Sequence, residues 1–159
     1  MMNWIKFIVA FLLVLSLFIT VIVLYNANIP FSSVQNNAEA IALKNGALQT
    51  VDRTEVYNGT ISMVTVYGKD ADGNEKAVFV EEKTEKVLDE VVLEEGIDAQ
   101  TALETVKSEL QMDKTLHVVL GLEEGHPVWE VAFKSENGKL NYVYVFFENG
   151  EWWKRILNL

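Results

Sequence analysis

Residues 116–150 read LHVVLGLEEGHPVWEVAFKSENGKLNYVYVFFENG, and this stretch decides the fold. Runs of β-branched and aromatic residues alternate in it with the pairs Glu-Gly and Asn-Gly, which is the pattern of antiparallel strands joined by tight hairpins. With the residues that follow, it predicts four strands, at residues 116–122, 128–133, 140–147 and 151–157. The carboxyl end of the chain is therefore predicted to be an antiparallel meander.

A short helix is predicted immediately before these strands. Asp98 is a good N-cap, and Ile97 can pack against Ala102 of the first turn. An apolar stripe follows at helical spacing, formed by Ala102, Leu103, Val106 and Leu110. The same order occurs once earlier: a helix from Ser32, whose capping partner is Gln35, precedes strands at residues 50–57, 60–67, 76–82 and 87–93.

Equivalent landmarks of the two halves lie 64 to 66 residues apart. They are the pairs Ala38 and Ala102, Gly59 and Gly125, and Gly73 and Gly138. Offsets that agree this closely indicate duplication of a small unit. The predicted fold is therefore α+β, with a first unit at residues 34–95 and a second at residues 96–159, each with one helix packed on a four-stranded antiparallel sheet.

One face of each sheet is left without a helix to cover it. In the strand at residues 140–147 the side chains of Tyr142, Tyr144 and Phe146 alternate with apolar side chains that point the other way. Two explanations remain open. The neighbouring unit covers the second face, or that face is a groove for a partner.

The amino-terminal segment is apolar enough to cross a membrane. Residues 7–24 contain only Ser16 and Thr20 as polar side chains, and a helix of this length spans about 27 Å before its interfacial ends are added. Residues 1–25 are predicted to be a retained anchor rather than a cleaved signal, because Tyr25 is too large for the position where a signal cut needs a small residue.

The orientation of the anchor follows from its basic residues. Lys6 precedes the apolar run, and no further Lys or Arg occurs until Lys44. Positive flanks stay inside, so the amino terminus is predicted to be cytoplasmic and the remainder extracytoplasmic. Residues 26–33, which contain Pro30, are predicted to be a juxtamembrane spacer.

Composition excludes some partners. All 23 acidic residues and 12 of the 13 basic residues follow the apolar run, so the outer part carries a formal charge of −11. Such a surface repels phosphate backbones, which argues against nucleic acid. The chain has no cysteine, so its units must fold without disulfides.

A calcium loop is only partly matched. Asp70, Asp72, Asn74 and Glu81 have the spacing of calcium ligands, but Glu75 stands where the loop requires glycine. The segment is therefore predicted to be a hairpin turn, and no metal or cofactor is expected.

No other segment predicts catalysis. His117 is expected on the outer sheet face and His126 in a turn, without a nucleophile motif. The acidic run at residues 81–98 is expected to be a solvated face, with a basic partner as the alternative. Residues 49–53 faintly resemble the cystatin wedge that inhibits cysteine proteases, but Arg53 replaces its glycine.

Candidate partner contacts are aromatic residues near the last hairpin. They are Trp152, Trp153, Phe147 and Tyr144. Adjacent residues of a strand point to opposite faces, so one of the two tryptophans is expected in the core and the other at an interface.

The second unit resembles the PepSY pattern of extracytoplasmic bacterial modules. The residues that carry this likeness are Val128, Trp129, Glu130 and Val131, then residues 142–147, then Asn149 and Gly150. The whole chain, with one anchor and two tandem cystatin-like or PepSY-like units at residues 34–95 and 96–159, resembles the cell-wall elongation regulator TseB family, formerly YpmB, of Bacillus-type bacteria.

The resemblance implies a function. It implies a non-enzymatic protein, anchored in the membrane and exposed outside the cell, that binds and regulates an elongation-type penicillin-binding protein in peptidoglycan synthesis. Two alternatives stay open: a PepSY-like regulator or inhibitor of a secreted protease, and a membrane-tethered chaperone for exported proteins.

Overall fold

The computed structural model describes the backbone of residues 2–159 and the side chains of residues 4–24 and 32–159. Two α-helices and eight strands follow one another along the chain. They are α1 (Met2–Lys44), β1 (Thr50–Asn58), β2 (Ser62–Lys69), β3 (Glu75–Glu81), β4 (Lys86–Val92), α2 (Ala99–Glu109), β5 (Lys114–Glu123), β6 (His126–Lys134), β7 (Leu140–Phe146) and β8 (Trp152–Ile156), with a 3-10 turn at Leu93–Glu95.

The chain divides into two compact units, Met1–Asn36 and Asn37–Leu159. The first contains a helical segment, Trp4–Leu24, that is long and apolar enough to span a membrane, with a mean hydropathy of 3.2. The side chains of this segment are exposed, as expected for a surface that lipid rather than protein would cover.

The helix predicted to begin at Ser32 is instead the final part of α1, which is helical from Met2 through Pro30 to Lys44. A proline removes a single backbone hydrogen bond, and here the residues on both sides keep the helical conformation. The side chains of residues 26–31 in the predicted spacer lie outside the described residues. The division into anchor, spacer and two units stays a prediction.

Each of the two sheets is a four-stranded antiparallel meander, in the orders β1-β2-β3-β4 and β5-β6-β7-β8. The hairpins lie at the predicted turn pairs. Between β5 and β6, Glu124 and Gly125 have φ values of 51° and 82°, the left-handed conformation that two-residue hairpins require. The predicted α+β fold, with an amino-terminal apolar helix and two helix-backed sheets, is confirmed.

The duplication extends to the irregularities of the sheets. Asp52 in β1 and Leu116 in β5 are both extra residues at a bulge, and so are Leu88 in β4 and Trp153 in β8. The members of each pair are 64 or 65 residues apart, which is the offset of the sequence landmarks. Bulges persist in related structures because they redirect a strand, so their repetition supports a common origin of the two halves.

The second sheet packs one face against α2. The Asp98 side chain caps the helix by accepting a hydrogen bond of 2.7 Å from the Thr101 backbone N–H, and Ala102 and Val106 are buried. The Trp129 indole N–H donates to the Ile97 carbonyl over 2.8 Å. This bond ties the start of α2 to the middle of the sheet.

The first sheet is buried on both faces, since every residue of β2 between its two ends is buried. On one face, Leu48 lies beside Gly68, and Ala38 and Ala42 at the end of α1 are also buried. The other face, which includes Met63, joins a single hydrophobic core with the second sheet. Of the two explanations for the uncovered faces, the neighbouring sheet is therefore correct for this one.

Candidate interaction groove

Glu123 joins the two sheets. It lies at the end of β5, only 3% exposed, and its carboxylate accepts three hydrogen bonds from the first sheet. The donors are the Tyr57 hydroxyl at 2.9 Å, the Thr60 backbone N–H at 2.8 Å and the Thr60 hydroxyl at 2.6 Å. A buried carboxylate needs such partners, because an unpaired charge inside a protein is costly.

The environment of Glu123 favours its charged form. Burial by itself would raise the pKa of the carboxyl, but the hydrogen bonds from Thr60 and Tyr57 outweigh it, so the pKa lies below its ordinary value. The same contact, together with burial, raises the pKa of the Tyr57 hydroxyl. Tyr57 is therefore a neutral donor and Glu123 an ionised acceptor at neutral pH.

The contact between the sheets is nearly symmetric. Tyr57 and Glu123 are 66 residues apart, and they lie near the ends of the corresponding strands β1 and β5, close to the hairpin turn that follows each strand. In a second contact, the Thr65 hydroxyl donates to the Leu120 carbonyl over 2.6 Å. The halves thus meet through β1, β2 and β5, and this leaves the rest of the outer face of the second sheet open.

An open groove of about 760 Å³ occupies that remaining face, between β1 and β7. Six of its lining residues carry its polar chemistry or its aromatic walls: Glu55, Asn58, His117, Glu130, Tyr142 and Tyr144. For the second sheet, the neighbouring sheet therefore accounts for only part of the uncovered face. The first sheet covers one portion, and a groove remains beside it.

A carboxylate lies at the base of the groove. Glu130 is 7% exposed, and one of its oxygens lies 2.8 Å from the Nε2 atom of the half-exposed His117 ring. Burial and the nearby Glu130 carboxylate raise the pKa of the Tyr144 hydroxyl. On the β1 side, Glu55 accepts a hydrogen bond of 3.0 Å from the Tyr67 hydroxyl.

An outer aromatic cluster, formed by Tyr144, Phe146 and Trp153, adjoins the groove. The Trp153 ring lies edge-on to Tyr144, with 5.9 Å between centroids, and 6.4 Å from Phe146. The Lys154 ammonium lies 5.6 Å from the centroid of the Trp153 ring. Aromatic rings at these distances and angles attract one another beyond the area that they bury.

The predicted contact residues fall in different places. Trp153 and Tyr144 belong to the outer aromatic cluster, whereas Trp152 pairs with the buried Val145 on the face under α2. Both tryptophans are half-buried and pack against the core. Neither is fully buried or fully exposed, so burial alone does not divide them into one core residue and one interface residue. Phe147 is 5% exposed; its ring fills the space beside Gly96, which corrects its assignment to a partner surface.

Sequence reasoning missed the pairing of His117 with Glu130. It placed His117 on the outer face, as observed, but the register of β5 against β6 contains a bulge between Thr115 and His117. No residue pattern in the sequence predicts that bulge. The only available signal was the glutamate of the Val-Trp-Glu-Val run, a charged residue within an apolar strand.

The partly matched calcium loop is a hairpin turn. One oxygen of Asp70 accepts hydrogen bonds of 2.9 Å from the backbone N–H groups of Asp72 and Asn74, and the other accepts one of 3.0 Å from the Asn74 amide. These bonds, led by the one from the Asn74 side chain, lower the pKa of Asp70. Among the described residues, no group of three or more His, Asp or Glu side chains is placed to hold a metal ion.

We therefore expect a chelator to leave the melting temperature of the full chain unchanged. The Asp70 carboxylate already has protein donors, and a metal would have to displace them. Thermal melts followed by circular dichroism, with and without EDTA, would measure this. A drop of several degrees that calcium restores would contradict it.

Two other segments also have structural roles. Residues 49–53, which resemble the cystatin wedge, lead into β1 and pair with β2, with Thr50 opposite Lys69. They are not a projecting loop. In the acidic run at residues 81–98, Glu90 lies 2.8 Å from the ammonium of Lys76 on β3, which is also 3.5 Å from Asp70. Part of the negative charge of the run is therefore compensated within the protein.

The chain is similar to a known family of bacterial proteins in sequence and in fold. The model of the cell wall elongation regulator TseB-like domain matches residues 37–81, which form the end of α1 and β1 to β3. The YpmB protein from Bacillus subtilis, a solved structure, is similar with a TM-score of 0.67 and 31% sequence identity, over 76% of this chain and 94% of that chain. A comparison with curated proteins finds no match. The chain belongs to the TseB-like family of cell wall elongation regulators.

Proposed function

We propose that this protein is a non-enzymatic regulator, anchored in the membrane and exposed outside the cell, that binds an elongation-type penicillin-binding protein during peptidoglycan synthesis. The observation that carries the proposal is the 31% identity with YpmB over 94% of that chain, in a family described as cell wall elongation regulators. A regulator of wall elongation must act on the machinery that builds the wall, and a transpeptidase is its central enzyme.

The arrangement of the carboxylates supports a binding role. Glu123 and Glu130, which are the buried carboxylates among the described side chains of residues 32–159, are both held in hydrogen bonds within the protein. Catalytic carboxylates need access to substrate, and their function depends on a proton that they can exchange with it. These two instead fix the packing of the sheets and the base of the groove.

Trp4–Leu24 would anchor the protein, with Lys6 on the cytoplasmic side. We expect protease added to cells without their wall to digest the part of the chain after the anchor. Immunoblotting with an antibody against the carboxyl end would follow the loss. Full-length chain that survives this treatment would reverse the orientation, and a shortened mature amino terminus that begins after the apolar segment would indicate a cleaved signal.

Recovery of partners from membranes tests the proposed function. The full chain, tagged at its carboxyl end and solubilised in a mild detergent, is expected to recover an elongation-type penicillin-binding protein. A single-pass membrane protein of similar expression serves as the control. Recovery of secreted proteases without any penicillin-binding protein would overturn the proposal in favour of a protease regulator.

The two tryptophans should differ when each is replaced by alanine. Trp152→Ala removes a side chain packed opposite Val145 and should cost about 3 kcal/mol of stability. Trp153→Ala should cost about 1 kcal/mol of stability but about 2 kcal/mol of partner binding. Circular dichroism melts and a binding titration separate the two effects. If both variants only unfold, the partner surface lies elsewhere, and the acidic run at residues 81–98 becomes the next candidate.

A further inference from the structure

We infer that the groove between β1 and β7 is the docking surface for a positively charged, extended segment of the protein partner, an inference that rests on the proposed function. The groove combines negative charge, aromatic walls and an open shape, and each of these features narrows what it can bind.

The side chains that line the groove carry more negative than positive charge. Of the described side chains, eleven line the groove, and they include two glutamates, Glu55 and Glu130, but no lysine or arginine. The Glu55 side chain keeps 29% of its surface exposed, so it can receive a further donor. A cationic side chain entering this groove would meet opposite charge, and an anionic one would be repelled.

Two cations at the border of the groove already contact aromatic rings of the protein. The Arg53 guanidinium stacks 3.7 Å from the centroid of the Tyr67 ring and lies 3.5 Å from Glu55. The Lys154 ammonium lies 6.0 Å from the centroid of the Tyr144 ring. Both are held at the border of the groove on aromatic rings, which shows that cations and tyrosine faces associate at this surface.

The aromatic wall offers a place for a further cation. The Tyr142 ring is half-buried and lies 6.4 Å from the His117 ring, centroid to centroid. Tyrosine is a frequent hot-spot residue, because its ring buries area while its hydroxyl still reaches polar partners. An arginine or lysine of the partner could pack on this ring and reach the exposed part of the Glu55 carboxylate.

The shape favours a chain segment over a small molecule. Its volume of about 760 Å³ would hold either kind of ligand, but the groove opens to solvent along the sheet, whereas a small-molecule site encloses most of its ligand. It also adjoins the outer aromatic cluster, so a segment lying in it could extend over Trp153. A basic extended segment therefore fits the charge, the walls and the shape together.

A pair of substitutions at one position separates charge from shape. Tyr142→Arg and Tyr142→Glu both remove the aromatic ring from the same half-exposed site on β7, and they differ in the charge that replaces it. If the groove selects cations, Tyr142→Arg should weaken binding of the penicillin-binding protein by about tenfold or more, because like charges then meet. Tyr142→Glu should stay within about threefold of the wild type, because the added charge offsets part of the loss of the ring.

A second probe tests the groove without the natural partner. Full-length protein in neutral detergent is titrated with an N-acetylated tetra-arginine amide and with an N-acetylated tetra-citrulline amide, which has nearly the same shape but no charge. Only the tetra-arginine peptide should bind, and Tyr142→Arg should weaken it far more than Glu104→Lys, a control on the exposed surface of α2.

The two titrations distinguish the possible failures. If Tyr142→Arg and Glu104→Lys weaken binding of the tetra-arginine peptide equally, the groove is not its docking surface. The peptide would then be attracted to the acidic surface of the protein in general. Equal effects of Tyr142→Arg and Tyr142→Glu on the penicillin-binding protein would also overturn the groove as the docking surface. If the wild type binds no penicillin-binding protein but the peptide retains the difference between the two Tyr142 variants, the proposed function fails and the selectivity of the groove stands.

Discussion

Replacing Glu123 with alanine is expected to destabilise the outer part by about 3 to 5 kcal/mol, since it removes an ionised acceptor and leaves buried donors without partners. The carboxylate holds three hydrogen bonds from the opposite sheet, two of them from Thr60. The melting temperature of the full chain should therefore fall by about 10 to 20 °C. Thermal unfolding followed by circular dichroism would measure it.

Two controls give this result its meaning. Glu123→Gln keeps the shape and an acceptor oxygen, so it should cost only about 1 kcal/mol. Glu104→Ala, which removes an exposed glutamate from α2, should stay within about 0.5 kcal/mol. A Glu123→Ala variant as stable as the Glu104 control would show that the contact between Tyr57 and Glu123 does not hold the sheets together.

The contribution of Glu123 should depend on pH. Its pKa is lower in the folded chain than the ordinary value of 4.5, so its charged form is favoured by folding. Its stabilisation is therefore fully present above pH 4.5 and is lost as the pH falls through the folded-state pKa. The difference in stability between the wild type and Glu123→Gln should shrink over that acidic range and stay constant above it.

Gly121→Val should be about as damaging, for a steric reason. A Cβ atom at Gly121 would lie 2.5 Å from three ring carbons of Tyr57. Tyr57 is fully buried and its hydroxyl is bound to Glu123, so the ring cannot move aside. Overpacking of this kind costs about 1 to 3 kcal/mol, and a branched side chain at so short a distance should reach the upper end or exceed it.

A double-mutant cycle identifies the clash as the cause. Gly121→Ala should be costly in the wild type but nearly neutral when Tyr57 is already alanine, because the cavity then accepts the new methyl group. Gly125→Ala is the control: nothing lies within 4 Å of its added Cβ, and only its φ of 82° opposes the substitution. Equal costs of Gly121→Ala in both backgrounds would contradict the packing described here.

Much of the fold can be predicted from the sequence because its signals are local. Turn pairs such as Asn137 and Gly138 mark where strands end, and Asp98 marks where α2 begins. The duplication was predictable for the same reason, since each landmark recurs at one offset. The membrane segment needs only a run of apolar residues, and the structure describes a helix over it.

The groove depends on contacts that no local pattern encodes. Its position follows from Tyr57 meeting Glu123, residues that lie in different halves of the chain and look unremarkable in the sequence. Bulges at Leu116 and Trp153 shift the register of two strands by one residue, which changes the side chains that share a face. The continuous α1 was missed because Pro30 and Ser32 carry local signals that the helical context overrides.

Crosslinking from the groove tests the central claim most directly. A photoreactive phenylalanine derivative in place of Tyr142, in the full chain and in living cells, is expected to form a covalent adduct with an elongation-type penicillin-binding protein. The same residue in place of Glu104, on the exposed surface of α2, should form none. An adduct at position 142 that contains a secreted protease and no penicillin-binding protein would contradict the account.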